Sequence, residues 1–116
     1  MAYDFGETEE LTLLRQSVRE FAQKEIAPLA HGLDENEQFS EELTQKMGAL
    51  GLFGTIVDPK YGGQGMDYIS YIVAVEELAR IDGSHAATVA AHNSLGAGPL
   101  YYYGTPEQKK EYLPNL

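Results

Sequence analysis

His92, Asn93 and Ser94 stand side by side in "AHNSLG", the residue types of a base, an orienting group and a nucleophile. On a helix, however, neighbours in sequence point about 100° apart, so three consecutive residues cannot relay a proton. No G-x-S-x-G turn surrounds Ser94, which removes serine hydrolysis. His85 and His92, seven residues apart, share a helix face but are separated by about 10 Å along the axis. That is too far for one zinc ion, and His31 lies in another segment with no ligand pattern beside it. Glu76 and Glu77 form an adjacent carboxylate pair. Glu76 precedes Arg80 by four residues, so the pair reads as surface ion pairing on a helix rather than as acid and base. "DFG" at residues 4–6 occurs in kinases, but here it stands at the N-terminal end without any other kinase motif and is a chance match.

The glycine-rich stretch "YGGQGMD", residues 61–67, poses a different question. Such loops bind phosphates when they follow a strand and open a helix, where backbone N–H groups converge on an anion. This one follows "VDPK" and ends at Asp67, an N-cap residue whose negative charge occupies the place a phosphate would take. The glycines therefore supply positive φ for a tight reversal. The sequence names neither a catalytic residue nor a metal ligand.

The elements that must position these residues are helical almost throughout. Residues 8–30 place Leu11, Leu14, Val18, Phe21, Ile26 and Leu29 along one face at steps of three to five. Thr8 caps the start, Glu20 and Lys24 form an i,i+4 pair, and Pro28 and Gly32 weaken and end the segment. The heptad from Leu11 and Val18 arrives at Glu25, so this is not a coiled coil. Ser40 caps a second helix lined by Leu43, Met47 and Leu50 and ended by Gly51. Asp67 opens a third, on which Tyr68, Ile72, Val75 and Ala79 follow one another, with Ile69, Tyr71 and Leu78 widening the apolar surface. Gly83 ends it, and Ser84 caps a fourth helix, "SHAATVAAHNSLGAG". Its small, nearly all-apolar surface suits a buried central element. Alanine and glycine there allow either close helix packing or empty volume for a ligand, and composition favours packing. Thr105, Pro106 and Gln108 make a capping box with proline at N1 for the last helix. Strands are not expected, apart from an extended stretch at Phe53–Val57.

The totals narrow the setting. The chain has 116 residues, a formal charge of −10 from 18 acidic and 8 basic side chains, and no cysteine. It is the size of one domain, without disulfides, thiolate metal sites or cysteine nucleophiles. An acidic chain without a basic face repels nucleic acid and anionic membranes. No apolar run approaches the ~20 residues of a membrane span. The N-terminal residues carry no targeting signal, so an intracellular location is expected. Apolar residues at the C-terminal end, in "EYLPNL", lead us to expect that the chain continues.

Four stretches in order, "DFGETEELTLLRQSVREFAQKEIAP", "ALGLFGTIVDPKYGGQGMD", "VAVEELARIDGS" and "HNSLGAGPLYYYGTPEQKKEYLPNL", resemble the N-terminal helical domain of acyl-CoA dehydrogenases. The resemblance covers essentially the whole chain. It implies an all-α fold, a five- to six-helix up-and-down or orthogonal bundle, as the first domain of a three-domain architecture. Residues 1–116 would be that domain, with the middle β domain and the C-terminal helical domain absent from this chain. It further implies an FAD-dependent flavoprotein oxidoreductase of fatty acid β-oxidation and lipid metabolism. Such an enzyme dehydrogenates an acyl-CoA thioester at Cα–Cβ to the trans-2-enoyl-CoA, passes electrons to electron-transfer flavoprotein, and is usually a homotetramer. The base glutamate and most FAD contacts belong to the later domains, so this fragment alone is expected to be inactive. The first domain supplies a wall of the acyl pocket, which on the resemblance falls to Thr88, Ala91, His92 and Leu95. The start of that helix, "SHAA", lacks the arginine that family members taking glutaryl-CoA carry, which argues against a dicarboxylic acyl group. The implied location is cytoplasmic in a bacterium or the mitochondrial matrix in a eukaryote. Two other readings stand beside this one: a stand-alone helical module binding a partner or acyl chain without redox activity, and an acyl-CoA oxidase variant.

Overall fold

A computed structural model describes residues 6–116; the remainder of "DFG" and the N-terminal residues read for a targeting signal lie outside that range. The described residues form helices α1 (Glu9–Phe21), α2 (Ala27–Glu35), α3 (Glu41–Ala49), α4 (Tyr68–Ala79), α5 (Gly83–Ala91), α6 (Gly98–Tyr103) and α7 (Pro106–Tyr112), with no strand among them. The expected extended stretch at Phe53–Val57 is instead a 3₁₀ turn, Leu52–Gly54, followed by bends.

Side-chain caps start the helices where the sequence places them. Thr8 Oγ1 accepts from the Leu11 N–H at 3.2 Å, Ser40 Oγ from Leu43 at 3.1 Å, and Asp67 Oδ1 from Ser70 at 2.8 Å. The Ser70 N–H and hydroxyl hold the Asp67 carboxyl below its usual range. At α7 both halves of the capping box form: Thr105 Oγ1 accepts from Gln108 N–H at 3.2 Å and Gln108 Oε1 accepts from Thr105 N–H at 2.9 Å. One cap differs from expectation. Asp82, not Ser84, caps α5, accepting from the His85 N–H at 3.3 Å while also pairing with His85 Nδ1. A carboxylate two residues earlier satisfies the same orphan donors, and the helix begins at Gly83 instead.

The first helix does not end at Gly32. It runs from α1 through a π turn, Ala22–Ile26, into α2 and stops at Glu35. Proline has no N–H and its ring clashes with the carbonyl four residues back, so a normal α-turn at Pro28 would be strained. The π turn inserts one residue ahead of it, with the Ala27 N–H reaching the Ala22 carbonyl. The insertion also rotates the apolar face: Ala22 and Ile26 are fully buried, while Leu29 is exposed.

The core lies among α1, α3, α4 and α5, from Val18, Ala22, Ile26, Leu43, Met47, Leu52, Ala74, Leu78, Ala86 and Val89. A second cluster, Ile56, Val57, Tyr71, Ala97 and Leu113, joins the loop after α3 to the C-terminal end. On α3, Leu43 and Met47 are buried as expected, whereas Leu50, at the C-cap, is exposed. On α4 the buried face is Tyr71, Ala74, Glu77 and Leu78, and Tyr68, Ile69, Ile72 and Ala79 face outward. The face expected from the spacing of Tyr68, Ile72, Val75 and Ala79 is thus mostly the outer one, with Val75 half-buried; apolar residues all round the helix do not mark the core side, and the buried side carries a charge. Glu77, 1% exposed, is held by α1: Arg15 Nη1 donates to Oε1 at 2.8 Å, and Arg19 donates through Nε to Oε2 at 2.9 Å and through Nη2 to Oε1 at 3.0 Å. Arg80, expected to pair with Glu76, lies 3.7 Å from Glu77 instead. Hydrogen bonds from Arg19, ahead of those from Arg15, hold the Glu77 carboxyl below its usual range.

Candidate functional site: the outer face of the fifth helix

The helix carrying Thr88, Ala91, His92 and Leu95 is anchored along its inner side. Asn93, fully buried, accepts from the Thr55 N–H through Oδ1 at 3.2 Å. Its Nδ2 donates to the carbonyls of Leu52 at 2.8 Å and Val89 at 3.0 Å. The Tyr71 hydroxyl on α4 donates to the Ala90 carbonyl at 2.7 Å. Ala86, Val89 and Ala97 complete the buried side.

Beyond Ala91 the helix again widens, into a π turn, His92–Ala97, in which the Gly98 N–H reaches the Asn93 carbonyl. Pro99 follows the turn as Pro28 follows the first one, and the same missing donor explains both. Across the turn Asn93 and Ala97 point in, while Ser94, Leu95 and Gly96 point out; Leu95 is 77% exposed.

The fourth helix of the sequence reading is therefore not enclosed on all sides. Ala87 and Ala91 are exposed and Thr88 is half-buried, so one side presents methyl groups with no described segment covering them. Thr88, Ala91, His92 and Leu95, spaced i, i+3, i+4 and i+7, lie along this open side. They do not enclose a cavity together. Thr88, whose hydroxyl donates to the Ser84 carbonyl at 3.0 Å, alone lines a groove of about 380 Å³ with Ala30, Leu33, Phe39 and His85. A second groove, of about 410 Å³, lies between α1 and α4 along Leu11, Tyr68, Ile69 and Ile72.

His92 is half-buried. Its Nδ1 lies 3.0 Å from the Phe53 carbonyl, and its ring packs on the Phe53 ring with centroids 4.7 Å apart at 57°. Phe53 is a site neighbour that the sequence reading passed over as part of an extended stretch. The available signal was "GLFG", a short apolar segment between glycines, where Gly51 at φ 81° turns the chain back towards α5. Ser94 gives its hydroxyl to the Ala90 carbonyl at 2.7 Å, so it makes no relay with His92. Among the described residues no three His, Cys, Asp or Glu side chains gather to hold a metal ion.

The glycine loop has no donors to spare for an anion. The N–H groups of Gly62, Gly63, Gln64, Gly65 and Met66 donate to the carbonyls of Pro59, Asp58, Gly54, Val57 and Thr55, at 2.8–3.3 Å. A Cβ on Gly63 would stand 2.1 Å from the Val57 carbonyl oxygen, which is why this tight reversal needs glycine there. The loop is a turn, as its context predicts.

Comparison with known proteins places this arrangement. The family model for the acyl-CoA dehydrogenase N-terminal domain matches residues 8–116. The short-chain-specific acyl-CoA dehydrogenase of Clostridium acetobutylicum is 46% identical over 113 residues, covering 97% of this chain and 30% of that protein. Among solved structures, the butyryl-CoA dehydrogenase of Megasphaera elsdenii superposes with a TM-score of 0.89 at 36% identity, covering 97% of this chain and 30% of that one. A chain from a structure described as the electron transferring flavoprotein of Acidaminococcus fermentans superposes with a TM-score of 0.91 at 40% identity, over the same shares. This chain thus spans about a third of the length of the relatives it matches. With a match over nearly every residue, the chain belongs to the acyl-CoA dehydrogenase N-terminal domain family.

Proposed function

We propose that this chain is the part of an FAD-dependent acyl-CoA dehydrogenase that forms one wall of the acyl site. The open, small-residue side of α5 carries this reading: Ala91 beside Thr88, His92 and Leu95 leaves room where a larger side chain would stand. Burying an acyl tail there would contribute roughly 0.8 kcal/mol per methylene. The names of the two dehydrogenase relatives favour a short acyl group.

The reading assigns no chemical step to this chain. FAD would accept the hydride in the whole enzyme, but the glycine loop, with its N–H groups bonded internally, does not fit its diphosphate. The flavin and the proton-abstracting glutamate would belong to a middle β domain and a C-terminal helical domain outside residues 1–116. The task of this domain is to bind, orient and desolvate the acyl group. The reading also entails electron transfer to electron-transfer flavoprotein, a homotetramer, a place in β-oxidation and a cytoplasmic or mitochondrial-matrix location. Among the described residues no helix is long and apolar enough to cross a membrane.

The test is anaerobic mixing of the full-length protein with butyryl-CoA. Bleaching of bound flavin and release of the enoyl-CoA are expected. A protein without flavin that still binds acyl-CoA supports a binding module instead, and one that reduces oxygen directly supports an oxidase.

A further inference from the structure

We propose that His92, held by Phe53, selects short acyl groups by polarity rather than by size; this rests on the acyl-site reading above. Because the partner of Nδ1 is a carbonyl oxygen 3.0 Å away, Nδ1 must be the donor. A histidine that donates through Nδ1 in its neutral form leaves Nε2 as an unprotonated acceptor. The Nδ1 hydrogen bond favours this orientation of the imidazole, whose ring packs on that of Phe53 with centroids 4.7 Å apart.

Nε2 has no protein partner, and no unpartnered side-chain nitrogen among the described residues is buried. It is therefore open to water. His92 stands four residues after Thr88 and three before Leu95, so it shares their side of the helix, which otherwise offers methyl groups and a leucine. An acyl tail laid over Ala91 gains by leaving water. A tail long enough to cover Nε2 strips its water and supplies no donor in exchange, which offsets the burial of about two methylenes. A short tail stops before that point.

The test compares full-length wild-type protein with two variants, using butyryl-CoA and octanoyl-CoA. His92→Phe keeps a ring of similar size but removes the acceptor, and is expected to raise the octanoyl-to-butyryl ratio of kcat/KM about tenfold. His92→Gln keeps a polar acceptor and is expected to hold the ratio within about twofold of wild type. A wild-type ratio in His92→Phe, or an equal rise in both variants, overturns the proposal. His92→Leu serves as the apolar replacement should the phenylalanine variant not fold. Absence of turnover of any acyl-CoA by the wild-type protein refutes the dehydrogenase reading itself, a result distinct from an unchanged ratio.

Discussion

The α4–α5 pair has two sides that do opposite things with similar residues. Inward, Ala74, Leu78, Ala86 and Val89 are packed among other helices, and the polar groups Glu77 and Asn93 are fully partnered. Outward, Tyr68, Ile69 and Ile72 on α4 line an open groove beside Leu11, with the Tyr68 hydroxyl reaching that of Tyr102, and Ala87 and Ala91 on α5 and Leu95 in the turn after it are exposed. Apolar character alone does not say which side is core. Polar side chains with fixed partners do, because a buried acceptor must find its donors or pay the cost of desolvation. Substitutions inside should therefore change stability, and substitutions outside should change selectivity.

The largest effect is expected at Glu77. Glu77→Gln leaves Arg15 and Arg19 facing a neutral group and should cost about 3 kcal/mol, read by chemical denaturation. Protonation of the same carboxyl gives this prediction a pH signature. Glu77 titrates lower in the folded protein than unfolded, so its contribution is complete above the unfolded value of ~4.3 and is lost as pH falls through the folded one. Stability should drop below about pH 4 in the wild type and less steeply in Glu77→Gln. Equal slopes would show that the arginine clamp does not hold the helices together. Asn93→Ala should come next, at about 2 kcal/mol, since it strands the Thr55 N–H and the Leu52 carbonyl. Leu95→Ala, outside, should change stability by no more than about 0.5 kcal/mol. A loss near that of Asn93→Ala would mean that Leu95 is core and that the two sides do not differ.

Much of this fold was legible in the sequence because local chemistry agreed with tertiary structure. Thr8, Ser40, Asp67 and Thr105 each cap the helix they precede, and Leu43 and Met47 face inward at their expected spacing. What could not be read depended on partners distant in sequence. Nothing near Glu77 announces Arg15 and Arg19, some sixty positions away, so the nearby Arg80 drew the pairing to Glu76. The two π turns each add a residue ahead of a proline, which breaks the 3.6-residue period that face assignments rest on; Leu29 was misplaced for that reason. The glycine loop was legible as a turn because its flanks, "VDPK" and Asp67, disfavour a phosphate cradle, and its N–H groups are bonded within the loop region. Thr88, Ala91, His92 and Leu95 came from family resemblance. The geometry adds Phe53 beside them, reached through a turn that no helical pattern reveals.

Ala91→Phe tests the difference between the two sides most directly. It places a large ring on the exposed side of α5 without touching the core. In the full-length protein we expect an unchanged unfolding midpoint and a loss of kcat/KM that is steeper for octanoyl-CoA and hexanoyl-CoA than for butyryl-CoA, measured as kcat/KM against chain length. A preference identical to wild type would remove the outer side of α5 from the acyl site.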